Sequence, residues 1–285
     1  MNNIIVKTPS DINQLVECLK CAGEDTYLIS GGTDFVIEMR NNPLLNGIII
    51  DVKGIKELNY IKEENNLIKI GANTTLTEII ENDTIKKYAK ALSVAALNVG
   101  STQIRNVATL AGNVANCAPA ADSIPALIAL GAEIKVINGE GKIITTEIEK
   151  ILKTLKKDEA IIEIVIPLRK TYISAFSKIG SRTRVTISKL NLSASVSCNY
   201  KIETAVISVG SLGPKAFRLK SCEEILLHEV PSRELLKRFK ESLVAEVDAA
   251  IPGRASLPYK REAIVGLAED VFYMLFPEIR GGKVE

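Results

Sequence analysis

The stretch LISGGTDFVIEMRN, residues 28–41, places two glycines directly after an apolar run that is typical of a β-strand. Glycines at the end of a strand let the backbone pass close to a ligand and present its N–H groups to an anion. The segment 28–35 is therefore a candidate phosphate-binding turn. Gly-Gly pairs also occur in many surface turns, so this segment alone leaves both interpretations open.

A second unusual stretch, GSTQIRNVATLAGNVANCAPAA, covers residues 100–121 and consists mainly of small and polar side chains without clear periodicity. It predicts an irregular loop, and a loop this poor in bulky side chains cannot stabilise itself by burying apolar area. One interpretation is that it wraps around a ligand, with its amides and hydroxyls as hydrogen-bonding groups. The other is a structural loop held by internal hydrogen bonds, and composition does not decide between them.

The composition is that of a globular protein, with 285 residues of which 46% are hydrophobic and 25% are charged. A net charge of +2 argues against binding to nucleic acid or to an anionic membrane surface. No apolar run approaches the roughly 20 residues that span a bilayer, and the N-terminus lacks the features of a secretory signal. With five cysteines and no sign of export, we expect reduced thiols and a cytoplasmic location.

Candidate catalytic and metal-binding side chains are few. His228 is the only histidine, which excludes a histidine-rich metal site, and we interpret it as a surface residue rather than a catalytic one. Cys18 and Cys21 form a CxxC in the later turns of a predicted helix, away from any second CxxC or histidine, and we interpret them as structural. We therefore predict no catalytic side chain and no metal site in this chain. It also lacks a G-x-G-x-x-G fingerprint and a Walker A sequence.

Helical and strand patterns mix in the first part of the chain and predict an α+β N-terminal domain at residues 1–170. The first helix is expected to begin with Thr8 as its cap. A capping box at Thr75 and Glu78 predicts another helix start.

The pattern changes after this domain. LSASVSCNY (192–200) alternates apolar and polar residues as a half-buried antiparallel strand does, and TAVISVGS (204–211) follows after a short turn. Two helical patterns come later, near 232–246 and 259–276. We predict a smaller α+β domain at residues 171–285.

Taken together, LISGGTDFVIEMRN (28–41) and GSTQIRNVATLAGNVANCAPAADSIPALIALGAEIKV (100–136) closely resemble the FAD-binding subunit of the molybdenum hydroxylases, the family of xanthine, carbon monoxide and nicotinate dehydrogenases. The resemblance continues in SAFSKIGSR (174–182), GSLGPKAFR (210–218) and PGRASLPYKREA (252–263). It implies an α+β protein with a two-subdomain FAD-binding fold of the vanillyl-alcohol-oxidase/PCMH type, followed by a C-terminal domain with a three-stranded antiparallel sheet and helices.

The resemblance also implies which residues bind FAD. The first loop, 28–35, is expected at the pyrophosphate together with the second loop, 109–113. Val99 and Gly100 match a segment near the flavin, and three further contacts match an acidic, an apolar and a basic position. The implied cofactor site comprises Leu28, Ile29, Ser30, Gly31, Gly32, Thr33, Asp34, Phe35, Val99, Gly100, Thr109, Leu110, Ala111, Gly112, Asn113, Asp122, Ile162 and Lys178.

As a member of this family, the chain is expected to be an electron-transfer subunit. In the implied complex, a molybdopterin large subunit hydroxylates the substrate and a [2Fe-2S] small subunit passes the electrons on to the FAD of this chain. The FAD then passes them to NAD or another acceptor. VIEMRN and NCAPAADS favour the xanthine (purine) or nicotinate dehydrogenase type. The chain departs from the family's pattern at two places. Several relatives carry an aromatic residue where this chain has Val99, and residues 183–186 lack an acidic residue that some relatives carry.

Three alternatives stay open. The first is a medium subunit of the carbon monoxide dehydrogenase type. The second is a stand-alone FAD-dependent oxidoreductase of the related fold, although the residues after Pro167 leave little room for a substrate-binding cap. The third is an assembly module that has lost its flavin, against which the intact glycines of both loops argue.

Overall fold

The computed structural model describes residues 3–41, 46–183 and 185–280; Arg184, in the segment where the acidic residue of some relatives is missing, lies outside them. The strands are β1 (Asn3–Lys7), β2 (Thr26–Ile29), β3 (Asn46–Asp51), β4 (Ile61–Glu64), β5 (Leu67–Gly71), β6 (Glu133–Asn138), β7 (Ile143–Glu147), β8 (Glu159–Pro167), β9 (Tyr172–Ile179), β10 (Leu190–Cys198), β11 (Ile202–Gly210) and β12 (Phe217–Arg218). The α-helices are α1 (Ile12–Lys20), α2 (Phe35–Asn41), α3 (Leu76–Glu81), α4 (Asp83–Tyr88), α5 (Lys90–Leu97), α6 (Thr102–Arg105), α7 (Leu110–Asn116), α8 (Ser123–Ala129), α9 (Ile148–Ile151), α10 (Lys220–Leu226), α11 (Arg233–Ala250), α12 (Leu257–Leu275) and α13 (Pro277–Arg280).

The described residues form two compact units that the chain enters more than once. The first unit contains those within 1–82, 101–117 and 132–167, and the second contains those within 83–100, 118–131 and 168–285. Two short segments before residue 132 thus belong to the second unit.

The first unit contains two sheets. In the parallel sheet the order is β1-β3-β2, and the central strand β3 carries the buried Ile49 and Ile50. The antiparallel sheet has the order β4-β5-β8-β6-β7. Its central strand β8 has the sequence EAIIEIVIP and is buried along almost its whole length, as expected for a strand covered on both faces. Strand β2 ends at Ile29, directly before the first glycine loop.

The second unit is built on an antiparallel sheet of order β12-β11-β10-β9, on which α12 packs, while α11 packs against α12. The aromatic rings of Phe239 on α11 and Phe272 on α12 lie 6.4 Å apart in its core. Our prediction of three strands is wrong, because β12 adds a fourth. β12 is only two residues long, too short to show any alternation, and its pairing of Phe217 with Val209 is followed by a bond from Leu219 N to the Ile207 carbonyl (2.8 Å).

The polar face of β10 is buried rather than exposed, so the prediction of a half-buried strand is also wrong. Ser193, Ser195 and Ser197 are at most 4% exposed. Ser193 donates to the Ala175 carbonyl (3.0 Å), and its cross-strand partner Ser208 donates to the Pro125 carbonyl on α8 (2.5 Å). Small hydroxyls that bond to backbone can be buried where a larger polar side chain cannot.

The starts of the helices agree only in part with the sequence patterns. The capping box of Thr75 and Glu78 at the start of α3 is confirmed. Helix α1, however, begins after Asp11, whose side chain accepts from Gln14 N (2.9 Å), and not after Thr8. The stretch 100–121, expected to be irregular, contains the short helices α6 and α7. None of the helices in the described ranges is long and apolar enough to cross a membrane.

Two exposed glycines of the second unit give opposite stability predictions. Gly266 lies inside α12 with open space where a β-carbon would stand, so Gly266→Ala is expected to stabilise by about 0.5–1 kcal/mol. Gly253 also has open space, but its φ of +71° favours glycine, so Gly253→Ala is expected to destabilise by about 1 kcal/mol. Chemical denaturation of both variants measures the two changes, and a shift of the same sign in both would contradict the backbone assignment.

Candidate functional site

The first glycine loop connects β2 to α2 in the first unit. Gly32 has a φ of +68°, a conformation that side-chain-bearing residues rarely adopt, and a β-carbon there would lie 3.0 Å from Ile29 Cδ1. Phe35 begins α2 and packs on Tyr27 with 5.4 Å between ring centroids. Leu28 and Ile29 are half-buried at the end of β2. The loop is thus held between two ordered elements.

The second loop is organised by a helix cap. Thr109 is 5% exposed and precedes α7, where its hydroxyl accepts from Gly112 N (3.1 Å). A β-carbon on Gly112 would lie 2.8 Å from that hydroxyl oxygen. Glycine at position 112 therefore leaves room for the cap. Leu110 and Ala111 are buried in the first turn, and Asn113 N bonds back to the Thr109 carbonyl (3.0 Å).

The structure brings the two loops together. A β-carbon on Gly31 would lie only 2.1 Å from the Val107 carbonyl oxygen and 2.9 Å from Ala108 Cα, so the backbones touch at a distance that only glycine allows. On the far side, Asn116 Nδ2 at the end of α7 donates to Asp34 Oδ2 (3.0 Å). Residues more than 70 positions apart in the chain thus form one surface within the first unit.

Several backbone donors of this surface have no internal partner. Within residues 3–41, 46–183 and 185–280, the N–H groups of Gly31, Gly32, Thr33 and Asp34 donate to no acceptor. A run of unpaired N–H groups in a turn that contains a positive φ is an arrangement that binds anions such as phosphate. The residues present therefore fit the pyrophosphate of a dinucleotide.

Ile162 lies in the middle of β8, also in the first unit. Its side chain is 6% exposed, and its carbonyl accepts from Ala72 N (3.0 Å). It supplies a buried apolar side chain next to the end of β5, which runs from Leu67 to Gly71. Its implied role as a flavin contact stays a prediction.

The acidic and basic residues implied by the resemblance bind each other in the second unit. Lys178 Nζ lies 2.6 Å from Asp122 Oδ2, and their side chains are 8% and 5% exposed. The other carboxylate oxygen of Asp122 accepts from Ser188 Oγ (2.5 Å) and Asn191 Nδ2 (2.9 Å). In this buried pair each charge is therefore compensated by the opposite charge of its partner and by hydrogen bonds.

Lys178 also holds the segment that contains Val99 and Gly100. Its ammonium group donates to the carbonyls of Asn98 (2.8 Å) and Thr186 (3.1 Å) in addition to Asp122, which accounts for all three of its protons. Gly100, two residues after Asn98, has a φ of +51°. Lys178 thus connects Asp122 to the residue directly before Val99.

Sequence reasoning missed the residues that position these groups. Asn73 bonds to Ser30 in the first unit, and Ser188 and Asn191 bond to Asp122 in the second. Each is a single polar residue in an otherwise ordinary strand or turn. Only burial, 7% exposed for Asn73 and 0% for Asn191, distinguishes them, and burial of one polar residue leaves no sequence pattern.

Two family models together match nearly the whole chain. One described as "FAD binding domain in molybdopterin dehydrogenase" matches residues 2–169, and one described as "CO dehydrogenase flavoprotein C-terminal domain" matches residues 174–275. The chain belongs to this FAD-binding family. The resemblance stated from the sequence is confirmed, and the protein is an FAD-binding subunit of the molybdenum hydroxylase family.

Individual relatives cover nearly the whole chain. The nicotinate dehydrogenase FAD-subunit of Eubacterium barkeri is 30% identical in an alignment of 269 positions that covers 90% of each protein. The xanthine dehydrogenase FAD-binding subunit of Escherichia coli O157:H7 is 26% identical in an alignment of 262 positions that covers 86% of each. Carbon monoxide dehydrogenase from Hydrogenophaga pseudoflava contains a chain of the same fold, with a TM-score of 0.88 at 20% identity over 97% of this chain and 98% of that one. Partner subunits in this family carry [2Fe-2S] clusters and molybdopterin.

The buried pair of this FAD subunit gives a stability prediction. Lys178→Met leaves the Asp122 carboxylate buried without its counter-charge and is expected to destabilise by about 3–5 kcal/mol. The matched control is Lys86→Met, because Lys86 pairs with Asp83 at 3.1 Å on the surface, where loss of an ion pair costs at most about 1 kcal/mol. Denaturant unfolding of both variants measures the difference. Equal losses would show that the Lys178 pair is not buried in solution.

Proposed function

We propose that this chain binds FAD through residues of both glycine loops and carries electrons in a molybdenum hydroxylase complex. The observation that supports this most strongly is the contact of the loops at Gly31 and Val107, beside backbone donors without partners. FAD supplies the redox chemistry when bound, accepting electrons and passing them on. The chain's own residues bind and orient the cofactor.

Each group of residues has a separate part in this proposal. The N–H groups of 31–34 and the capped turn at 109–113 hold the pyrophosphate. Ile162 contributes an apolar contact, and Val99 and Gly100 lie beside the flavin. Asp122 contributes a polar contact, and Lys178, whose three protons are already used within the protein, holds the segment before Val99 and supplies positive charge near the flavin. We further propose domain limits of 1–170 for FAD binding and 171–285 for the C-terminal domain, supported by the ranges of the two family models.

The complex is proposed to contain a [2Fe-2S] small subunit and a molybdopterin large subunit, and to be of the xanthine (purine) or nicotinate dehydrogenase type. The 30% identity to the nicotinate dehydrogenase FAD-subunit supports this type. A medium subunit of the carbon monoxide dehydrogenase type is the second candidate, favoured by the description of the C-terminal family model. The proposed final acceptor is NAD, and the proposed location is the cytoplasm, consistent with the five free cysteines.

Glycine substitutions test the cofactor site. The full chain is purified, FAD is added, the excess is removed, and the visible absorption spectrum is recorded. We expect one FAD per chain in the wild type. Gly31→Ala pushes the loops apart, and Gly32→Val strains the turn, so both are expected to weaken FAD binding by at least about tenfold, which is 1.4 kcal/mol.

Gly23→Ala is the matched control. Gly23 lies in the same unit, has no atom within 4 Å of the position that a β-carbon would take and has no positive φ. It is expected to leave FAD binding unchanged. If the loop variants retain FAD as tightly as this control does, the loops do not form the site. If the native complex contains no flavin, the proposed function itself is wrong.

NADH tests the proposed acceptor in the reverse direction. When the FAD-loaded chain is mixed with NADH without oxygen, hydride transfer to the flavin should bleach its visible absorption within seconds to minutes. NADPH, which differs from NADH by a 2′-phosphate, serves as the control for selectivity between the two nucleotides. NAD as the acceptor would be contradicted if NADH left the flavin of the isolated chain oxidised while the flavin of the native complex could still be reduced. The proposal of FAD binding would then stand.

A further inference from the structure

A short segment of the first unit is hydrogen-bonded to both glycine loops. We call residues 73–76, which run from the turn after β5 to the first residue of α3, the anchor segment. Its backbone holds the second loop from two sides, because Leu110 N donates to the Thr74 carbonyl (3.1 Å) and Leu76 N donates to the Ala108 carbonyl (2.9 Å). These bonds lie on either side of the helix cap at Thr109, so they fix where α7 begins.

The same segment holds the first loop through one side chain. Asn73 Oδ1 accepts a hydrogen bond from Ser30 Oγ (2.9 Å), and Ser30 is the residue directly before the two glycines. The orientation of this amide is fixed, because Asn73 Nδ2 donates to the carbonyls of Val52 (2.7 Å) and Ile55 (3.1 Å), and carbonyl oxygens can only accept. The oxygen of the amide must therefore face Ser30.

Asn73 is itself held rigidly. Its side chain is buried, with the residue 7% exposed, and its backbone N–H donates to the Leu58 carbonyl (2.8 Å). The neighbouring Thr74 hydroxyl donates to the Tyr60 carbonyl (2.9 Å). The anchor segment is therefore bound to the body of the unit independently of either loop.

We propose that Asn73 is a positioning residue for FAD, which sets the first loop at a fixed distance from the second before the cofactor binds. The proposal rests on the proposed function, because it assigns Asn73 a role toward the same cofactor. Since the Ser30 proton is used in the bond to Asn73, the Ser30 oxygen can act toward the ligand only as an acceptor. A loop fixed in advance loses less conformational freedom on binding than a mobile one.

The test measures FAD affinity of the full chain by titration of the flavin-free protein, followed by quenching of flavin fluorescence. Asn73→Ala and Ser30→Ala are each expected to weaken FAD binding by about tenfold, because the first loop loses the bond that fixes it before the cofactor binds. The double variant should bind FAD no more weakly than the single variant with the lower affinity, because both changes remove the same bond. Ser30→Thr keeps the hydroxyl and should restore affinity to near that of the wild type.

Loss of stability alone must be separated from loss of position. Thr26→Val is the matched control: Thr26 is 2% exposed at the other end of β2 and accepts one hydrogen bond from Gly23 N (2.9 Å). It is expected to lower the melting temperature of the flavin-free chain as Ser30→Ala does, but to leave FAD affinity unchanged. The visible circular dichroism of bound FAD should change in the Asn73 and Ser30 variants and not in the control.

Wild-type FAD affinity in both Asn73→Ala and Ser30→Ala would overturn the inference, as would equal losses in Thr26→Val. Additive losses in the double variant would also overturn it, because they would mean that the two side chains act separately. These results differ from failure of the proposed function, which would appear as absence of flavin from the wild-type chain and from its native complex. In that case both proposals fall together.

Discussion

The contact of two backbones at Gly31 and Val107 is the constraint on which the rest of the first unit depends. Since a β-carbon at position 31 would lie only 2.1 Å from a carbonyl oxygen, no other residue fits there without movement of one loop. The parallel sheet delivers one loop to this point at the end of β2, and α6 and α7 deliver the other. Beside this approach, the N–H groups of residues 31–34 have no acceptor among the described residues, and this suits an anionic ligand.

Glycine acts here in three physically different ways. Gly31 permits close approach between loops, Gly32 permits a positive φ, and Gly112 leaves space for the hydroxyl of Thr109. Only the second of these is the turn chemistry that a Gly-Gly pair signals in a sequence. The other two depend on residues far away or on a cap, so the sequence singles out the loops without indicating why each glycine is required.

The same distinction governs how much of the fold could be predicted. Long helices such as α11 and α12 are recognisable in the sequence because their apolar residues recur at helical spacing on one face over many turns. The strand β12 could not be predicted because two residues are too few to show the alternation of a strand. The serines of β10 are assigned to solvent because alternation reports polarity. They are buried nonetheless, with the Ser193 hydroxyl bonded to the Ala175 carbonyl and the Ser197 hydroxyl bonded to that of Thr204. Such bonds become visible only in three dimensions.

Polar residues buried one at a time explain why the site could be predicted only in part. The resemblance pointed to Asp122 and Lys178 as cofactor contacts, but the structure shows that both are also engaged with each other and with Asn191. A charge that is compensated within the protein can keep a fixed position when a cofactor binds, whereas an uncompensated buried charge would have to titrate or move. Flavin performs the electron transfer itself, so a protein that binds it gains more from rigid positions than from reactive side chains. The prediction of no catalytic side chain in this chain fits that division of roles, in which the residues that matter are those that hold the loops in place.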